Sequence, residues 1–490
     1  MSPNAIGFAL LLLGFFLLIG KIVRVNVGIV QKLFLPSSII GGAVILLLGP
    51  QVLGRVDGPW GENGLFTGTM LDVWRTLPGL LISVIFATMF LGQALPTPSR
   101  AAKLVGPQLS LGVALGSGQY VIGLLLAALI IVPLLAGSPM TGALIEIAFE
   151  GGHGTAAGMR PVMEDLGFGE GADLAVGLAT VGIVGGIIVG IALINWGVRS
   201  GKTEILKGDV KASVEEQKGL FRRDEHYPAG EMTSRPASVE PLSLHMAIVA
   251  VAILIGWAIL EALRWVEQRT YASVMLDENT NLEIFSYVPL FPLALLGGVI
   301  FQMIATKVGA DHLIDDQIML RIQGWALDFL IVAAIGTLSL QAIGENFGAF
   351  ALLSVAGIAL NVALFLWLAP RLIGRYWFER GIGDFGQSMG VTATGLILMR
   401  ITDPDAKSPA FEAFGYKQLV FETFFGGGLV TALAVPIIYL TGIWPLFFVM
   451  LLIWLLSAVG GLLYYGPKAR AERADMASAE SVDAEALRGG

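Results

Sequence analysis

The chain has 490 residues, 55% of them hydrophobic and only 14% charged, with a mean hydropathy of +0.76. Soluble domains carry about 25% charged residues, so this composition excludes an ordinary water-soluble enzyme. The net charge of −8 is concentrated in one polar loop and a tail, and nothing in it points to nucleic acid as a partner. With no cysteine, disulfides and thiolate metal sites have no material to form from, and four histidines argue against a multi-histidine metal centre.

A helix needs about 20 largely apolar residues to cross a hydrocarbon core of about 30 Å. Taken in chain order, the sequence predicts spans at 5–22, 34–50, 76–95 and 108–136, a broken glycine-rich segment at 139–166, and a span at 174–198. The first apolar run lacks a basic leader and a small-residue cleavage site, so it reads as a true span. A polar stretch at 199–240, rich in both charge signs, links the halves. Spans at 242–263, 287–305, 322–343 and 344–368 follow, then a second broken segment at 381–401 and a span at 416–440. One further span, 444–465, has no counterpart, and the last residues form a polar Ala/Glu/Ser-rich tail, disordered or loosely helical. The expected organisation is a first membrane repeat at 1–198, a linker at 199–241, a second repeat at 242–440, an extra span at 441–465 and a tail at 466–490. The fold class is an all-α integral membrane protein.

Lys and Arg accumulate on the cytoplasmic side of a membrane protein. With the N-terminus outside and each broken segment returning to the side it entered, only Arg55, Arg75, Arg160, Arg264 and Arg269, of 30 Lys and Arg, fall outside. Lys21, Arg24, Lys32, Arg100, Lys103, Arg371, Arg375 and Arg380 then lie at inner short loops, and the C-terminus is cytoplasmic. The expected location is the cell (inner) membrane.

The halves repeat a pattern. LPSSIIGG, with Pro36, Gly41 and Gly42, matches FPLALLGG, with Pro292, Gly297 and Gly298. GGHGTAAG matches GDFGQSMG at Gly151/Gly383, Gly154/Gly386 and Gly158/Gly390, and the following spans share Thr180/Thr423 and Gly185/Gly428. Five full spans per half is an odd number, so the second copy is expected upside down relative to the first. Small-residue patterns also recur by chance where glycine permits close helix packing, but here several matches keep their order.

Irregular backbone at membrane depth must be shielded by protein or line a wet cavity. Inverted repeats with discontinuous helices meeting near the midplane are the physical signature of a secondary transporter. Glu150 and His153 sit at the first expected tip and Asp384 at the second. An ionisable residue there is costly and points to function, and a carboxylate suits Na⁺ or a carried proton. Glu150 and Asp384 are therefore candidate Na⁺ sites, although either could instead cap a half-helix. Thr155, Gln387, Ser388, Thr392 and Thr394 surround the tips as candidate substrate contacts, or bond back to their own helices. Arg160 and Arg400 follow the tips; each can meet a substrate carboxylate or snorkel to the surface. Asp328 and Glu422 are further intramembrane acids.

These motifs resemble the bacterial sodium/glutamate symporter family, within the superfamily of 2-hydroxycarboxylate-type transporters. The residues that carry the resemblance are GGHGT at Gly151 to Thr155, the GF near Gly167 and ATVGIVGGIIVG from Ala179 to Gly190. MGVTATG from Met389 to Gly395, PSSIIGG at Pro36 and IFATMFLG at Ile85 add to it. The resemblance implies Na⁺-coupled uptake of L-glutamate, two re-entrant loops forming the site, and a homodimer whose transport domains move against a scaffold. It implies no cofactor beyond Na⁺ as coupling ion. Carried onto this chain, the site is Gly151, Gly152, His153, Gly154 and Thr155 with Gly386, Gln387, Ser388, Thr392 and Thr394. The chain departs from the family pattern at Glu150, Asp384, Gln387 and Ala393, which adds negative charge beside an anion site; extra cation coordination would offset it, and a different organic anion or proton coupling is the alternative.

A channel also uses buried glycine loops, but unlike tips in inverted repeats fit alternating access better. SGKT at Ser200 to Thr203 follows Gly197 one residue short of phosphate-loop spacing. An intramembrane enzyme would have only Glu150 and Asp384 as an acid pair.

Overall fold

The computed structural model describes residues 3–93, 98–206, 218–221, 225, 228–270, 285–404 and 406–486. The end of the third expected span, part of the linker (207–217, 222–224 and 226–227) and residues 487–490 lie outside the described residues. Among the described residues every regular element is a helix. In chain order the helices that build the frame and the site are α1 (Pro3–Asn26), α2 (Ser37–Leu48), α3 (Gly68–Thr88), α4 (Pro98–Leu126), α5 (Leu144–Phe149), α6 (Gly152–Gly158), α7 (Arg160–Asp165) and α8 (Gly169–Arg199). The second half has α9 (Pro241–Thr270), α10 (Leu290–Lys307), α11 (Asp316–Gly336), α12 (Phe347–Trp367), α13 (Trp377–Thr402), α14 (Ala410–Phe424), α15 (Leu429–Thr441), α16 (Ile443–Leu455) and α17 (Gly461–Ala486). Eleven stretches of the described residues are long and apolar enough to cross a membrane, and each overlaps one of the expected spans.

Helix starts follow local chemistry: Asp315 Oδ1 accepts from Ile318 N at 2.8 Å and Ser339 Oγ from Ala342 N at 3.1 Å, supplying acceptors to otherwise unpaired amides.

Helices pack into two groups. Ala9, Leu13, Phe16, Ile45, Trp74 and Val332 form one core among α1, α2, α3 and α11. Ala87, Ile248, Ala252, Ala294 and Met319 form a second among α3, α9, α10 and α11. The repeated glycine pairs explain how these six helices close on one another. A β-carbon at Gly41 would strike the Phe16 carbonyl of α1, and one at Gly42 would strike Ile335 of α11. In the other half, one at Gly297 would strike the Ala252 carbonyl of α9, and one at Gly298 the Ala87 carbonyl of α3. Each pair thus holds its helix against the first helix of its own half and the third helix of the other. Backbones approach this closely only where side chains are absent.

The largest core joins α4, the broken segments, α8, α12, α14 and α15, with Phe149, Phe365, Phe378, Phe385 and Phe421 buried in it. The extra span packs here rather than standing apart: Ser110 Oγ of α4 donates to the Ser457 carbonyl at 2.6 Å, and Gly118 faces Trp454.

Two expectations need correction, and the linker makes a contact that the sequence did not address. The tail is helical as far as Ala486, and Arg473 donates to the Pro370 carbonyl, so its first turns are docked rather than loose. The linker's start is also docked: Glu379 Oε1 of α13 accepts from Glu204 N at 2.6 Å and Ile205 N at 2.9 Å. Arg380, expected at an inner surface loop, is buried; its Nε donates to Gln108 Oε1 at 3.0 Å, and Gln108 Nε2 donates to the Arg380 carbonyl at 3.0 Å.

Candidate functional site

Three helices are interrupted inside the larger core, and the interruptions meet. The first lies between α5 and α6, where Gly152 adopts φ +67°. The second lies within α13, at Gly390 (φ −156°, ψ 50°) and Val391 (φ 58°, ψ 175°). A β-branched residue at positive φ is a genuine outlier, and holding it there costs about 1–3 kcal/mol. The third separates α14 from α15 at Phe425 to Gly428, with Gly426 at φ +68° and Gly427 at +104°. A β-carbon at Gly152 would collide with Val391, and one at Gly427 would crowd Thr155 Oγ1 and Phe86. Gly426 faces the Glu150 carbonyl, 3.5 Å from where its β-carbon would stand.

The second break is not where the glycine pattern placed it. Gly383 and Gly386 lie in regular helix and serve close packing: a β-carbon on Gly386 would strike Gly395, and one on Gly383 would strike Met399. The two arms of α13 therefore run back along each other, and the turn between them falls at Gly390–Val391. Asp384 stands well before that turn, not at its tip.

Polar side chains tie the breaks together. Ser388 Oγ, just before the second break, donates to Glu150 Oε1 at 2.6 Å, just before the first. The Ser388 carbonyl, freed by the turn, accepts from Gln119 Nε2 and Asn361 Nδ2, each at 2.7 Å. Glu146 Oε1 accepts from Gly426 N and Thr431 Oγ1, each at 2.8 Å, and its Oε2 from Tyr120 OH at 2.6 Å. This carboxylate fastens the first broken segment to the third break. Thr392 Oγ1, after the second break, donates to Glu422 Oε1 at 2.6 Å, and Gln418 Nε2 bridges both. Buried amides and hydroxyls left without such partners would each cost about 1–3 kcal/mol. The network is what makes three irregular stretches tenable in one core.

Among the described residues, the buried oxygens at this junction that make no hydrogen bond include Glu150 Oε2, Thr155 Oγ1, Gln119 Oε1 and Gln418 Oε1. Thr155 Oγ1 lies toward the third break, 2.5 Å from where a β-carbon on Gly427 would stand. The other expected residues are distributed as follows. His153 Nε2 lies 2.9 Å from Thr180 Oγ1, whose hydroxyl donates to the Val176 carbonyl at 3.2 Å, so the imidazole nitrogen is the donor. Thr394 Oγ1 bonds back to the Gly390 carbonyl at 2.6 Å, closing its own turn. Gln387 and Asp384 are taken by Lys417: its Nζ donates to Gln387 Oε1 and lies 3.1 Å from Asp384 Oδ1. Arg160 is paired with Asp173 at 2.8 Å and is not at the junction, and Arg400 is exposed. Asp328 lies on α11, beside Ser38 of α2.

Sequence reasoning missed Glu146, Lys417 and the third break. An acid in the apolar run ALIEIAF, a lysine inside a predicted span and the string FGGG were the available signals. Among the described residues, no group of three or more His, Asp or Glu side chains converges as a metal cage. A monovalent ion here would rest on one carboxylate with hydroxyl and main-chain oxygens, which is how broken helices hold Na⁺.

A search of curated proteins finds no match to the chain. A family profile described as sodium/glutamate symporter matches residues 5–402, which includes the first two breaks but not Lys417, Gln418, Glu422 or the third break. That coverage, joined to eleven membrane-length helices and interrupted helices meeting in a polar junction, settles the family. The chain belongs to the sodium/glutamate symporter family, a family of membrane transporters rather than enzymes.

Proposed function

We propose that the protein is a secondary active transporter that couples entry of L-glutamate, or a related small carboxylate, to Na⁺. The observation that carries this reading is the junction of the Gly152, Val391 and Gly426–Gly428 breaks, with Glu150 Oε2 and Thr155 Oγ1 unpaired beside it. Half-helix ends at α15 and at the second arm of α13 present main-chain groups and dipoles to that space. Glu150 and Thr155 supply oxygens for the ion. Gly151 to Thr155 and the stretch from Gly386 to Thr394 supply the substrate's surroundings. Glu146 and Glu150 are buried at the junction, while Asp384 is paired with Lys417; a coupling cation offsets the charge of an ionised Glu150 when an anionic substrate enters.

The same reading takes the halves as inverted repeats, with the two broken segments re-entrant from opposite faces of the cell membrane, the N-terminus outside and the C-terminus cytoplasmic. Its support is the exchange of contacts by the glycine pairs Gly41/Gly42 and Gly297/Gly298 and the distribution of Lys and Arg. The six helices α1, α2, α3, α9, α10 and α11 are the scaffold, through which two copies pair as a homodimer. The larger bundle slides along it as an elevator, exposing the junction to each side in turn. Proton coupling to another organic anion is the second reading, favoured by the free oxygen of Glu150.

Counterflow with radiolabelled glutamate in proteoliposomes tests the proposal. Accumulation that requires a Na⁺ gradient is the expected result; accumulation driven equally by a proton gradient in the absence of Na⁺ selects the second reading, and none with either ion overturns both.

A further inference from the structure

Lys417 is a buried cation for which the transport reading has no use. It sits on α14 with 1% of its side chain exposed, and its Nζ is held by Asp384 Oδ1 at 3.1 Å and by Gln387 Oε1. Asp384 and Gln387 are three residues apart on the first arm of α13, so they share one helix face and their oxygens converge on one point. The rings of Phe414 and Phe421 close over that point, with centroids 5.0 and 4.4 Å from Nζ. Aromatic faces attract a desolvated cation and exclude water from it.

The neighbouring helix is cut to fit the lysine. A β-carbon at Gly112 of α4 would stand 3.0 Å from Lys417 Cε and 3.2 Å from Nζ. Any side chain at that position would press on the ammonium and its stem. Lys417 also acts electrostatically on Glu150 and Glu422, so the lysine is a counter-charge to acids on all three broken helices. A carboxylate oxygen and a neutral carbonyl oxygen, fixed beside a broken helix in a dry core, form a donor set that suits a monovalent cation.

We infer that Lys417 is a tethered cation: its ammonium fills a monovalent-cation site made by Asp384 and Gln387, where a free Na⁺ would otherwise bind. The inference rests on the Na⁺-coupled reading and goes beyond it, because it removes Asp384 from the sodium ligands and leaves Glu150 as the ion-coupling acid. The charge that the lysine brings travels with the chain and is never released. The transporter therefore carries one Na⁺ fewer per cycle than the same frame would with a neutral residue at position 417.

Binding of radioactive Na⁺ to the purified full-length protein, measured without substrate, tests this. Lys417→Gln vacates the site and keeps its carboxylate. It should bind one more Na⁺ per chain than wild type, and its melting temperature should rise in NaCl relative to choline chloride by more than that of wild type. The double variant Lys417→Met/Asp384→Asn removes the site altogether and should show neither gain. An unchanged sodium count in Lys417→Gln overturns the inference. If that variant folds only in NaCl, the sodium-specific rescue supports the tethered cation. If it fails in both salts while the double variant folds, the pair is only a structural salt bridge and the inference is overturned. Because no substrate enters the measurement, a wrong identification of glutamate leaves its outcome intact, whereas the counterflow experiment would expose that error directly.

Discussion

Gly152 and Val391 meet where two interrupted helices face each other, both at positive φ (67° and 58°), and so close that a single β-carbon on the glycine would overlap the valine side chain. One residue has the freedom to adopt that conformation without strain and the other does not. Three residues before the strained partner, the Ser388 carbonyl is held by hydrogen bonds from Gln119 and Asn361.

Gly152→Ala should therefore do damage out of proportion to one methyl group. Positive φ and the collision with Val391 together cost about 1–3 kcal/mol, and uptake should fall at least about tenfold if the strain is felt in the transport cycle, since about 1.4 kcal/mol is a factor of ten. Val391→Ala removes the atom that collides. Uptake by Gly152→Ala/Val391→Ala should exceed that of Gly152→Ala alone, a non-additivity that a double-mutant cycle in proteoliposomes reads directly.

Ser388→Ala leaves Glu150 Oε1 buried without its donor. An unmet buried acceptor costs about 1–3 kcal/mol, more when charged, and here the acid can recover by drawing in a cation. The expected outcome is lower stability in choline chloride and a recovery of the melting temperature in NaCl. Glu150→Gln should abolish that recovery and weaken the Na⁺ dependence of uptake.

Arg160→Met separates structure from substrate recognition. Asp173 accepts from both Arg160 and the Ser339 amide, so losing the guanidinium leaves a buried carboxylate short of one partner. Removing one partner of a buried pair costs about 3–5 kcal/mol. The melting temperature should drop markedly while the glutamate concentration giving half-maximal uptake stays as in wild type. A large rise in that concentration would place Arg160 at the substrate after all.

The glycine pairs make a matched prediction. Gly42→Leu should wedge α2 away from α11, and Gly298→Leu should wedge α10 away from α3, because the side chain each would carry runs into the facing helix. Both variants should lose folded yield to a similar extent, measured by size-exclusion chromatography in detergent. A tolerated Gly298→Leu beside a destroyed Gly42→Leu would break the equivalence of the two halves.

Much of the frame was legible from the sequence because hydropathy over about 20 residues reports what lipid requires. All eleven spans were found that way, and the glycine pairs were found as a repeat. The junction was legible only in part. Gly383 and Gly386 read as a break, yet glycine marks either a turn or a close approach, and spacing alone does not tell the two apart; here they let the arms of α13 touch. The actual turn uses Val391, a residue that local preference would place last at positive φ. Lys417 stands just inside an expected span, and its place in the sequence does not show what it pairs with. Only the placement of Asp384, Gln387 and Gly112 around it shows why it is buried.

The chain has no native cysteine, which opens the most direct test of the central claim that its two broken segments reach the junction from opposite faces of the membrane. Single cysteines at Asp165, exposed at the end of α7, and at Pro404, exposed just past α13, can be probed in intact cells with a membrane-impermeant thiol reagent. The account predicts that Asp165→Cys reacts from outside, and that Pro404→Cys reacts only after the cells are opened. Labelling of both from the same side would contradict it.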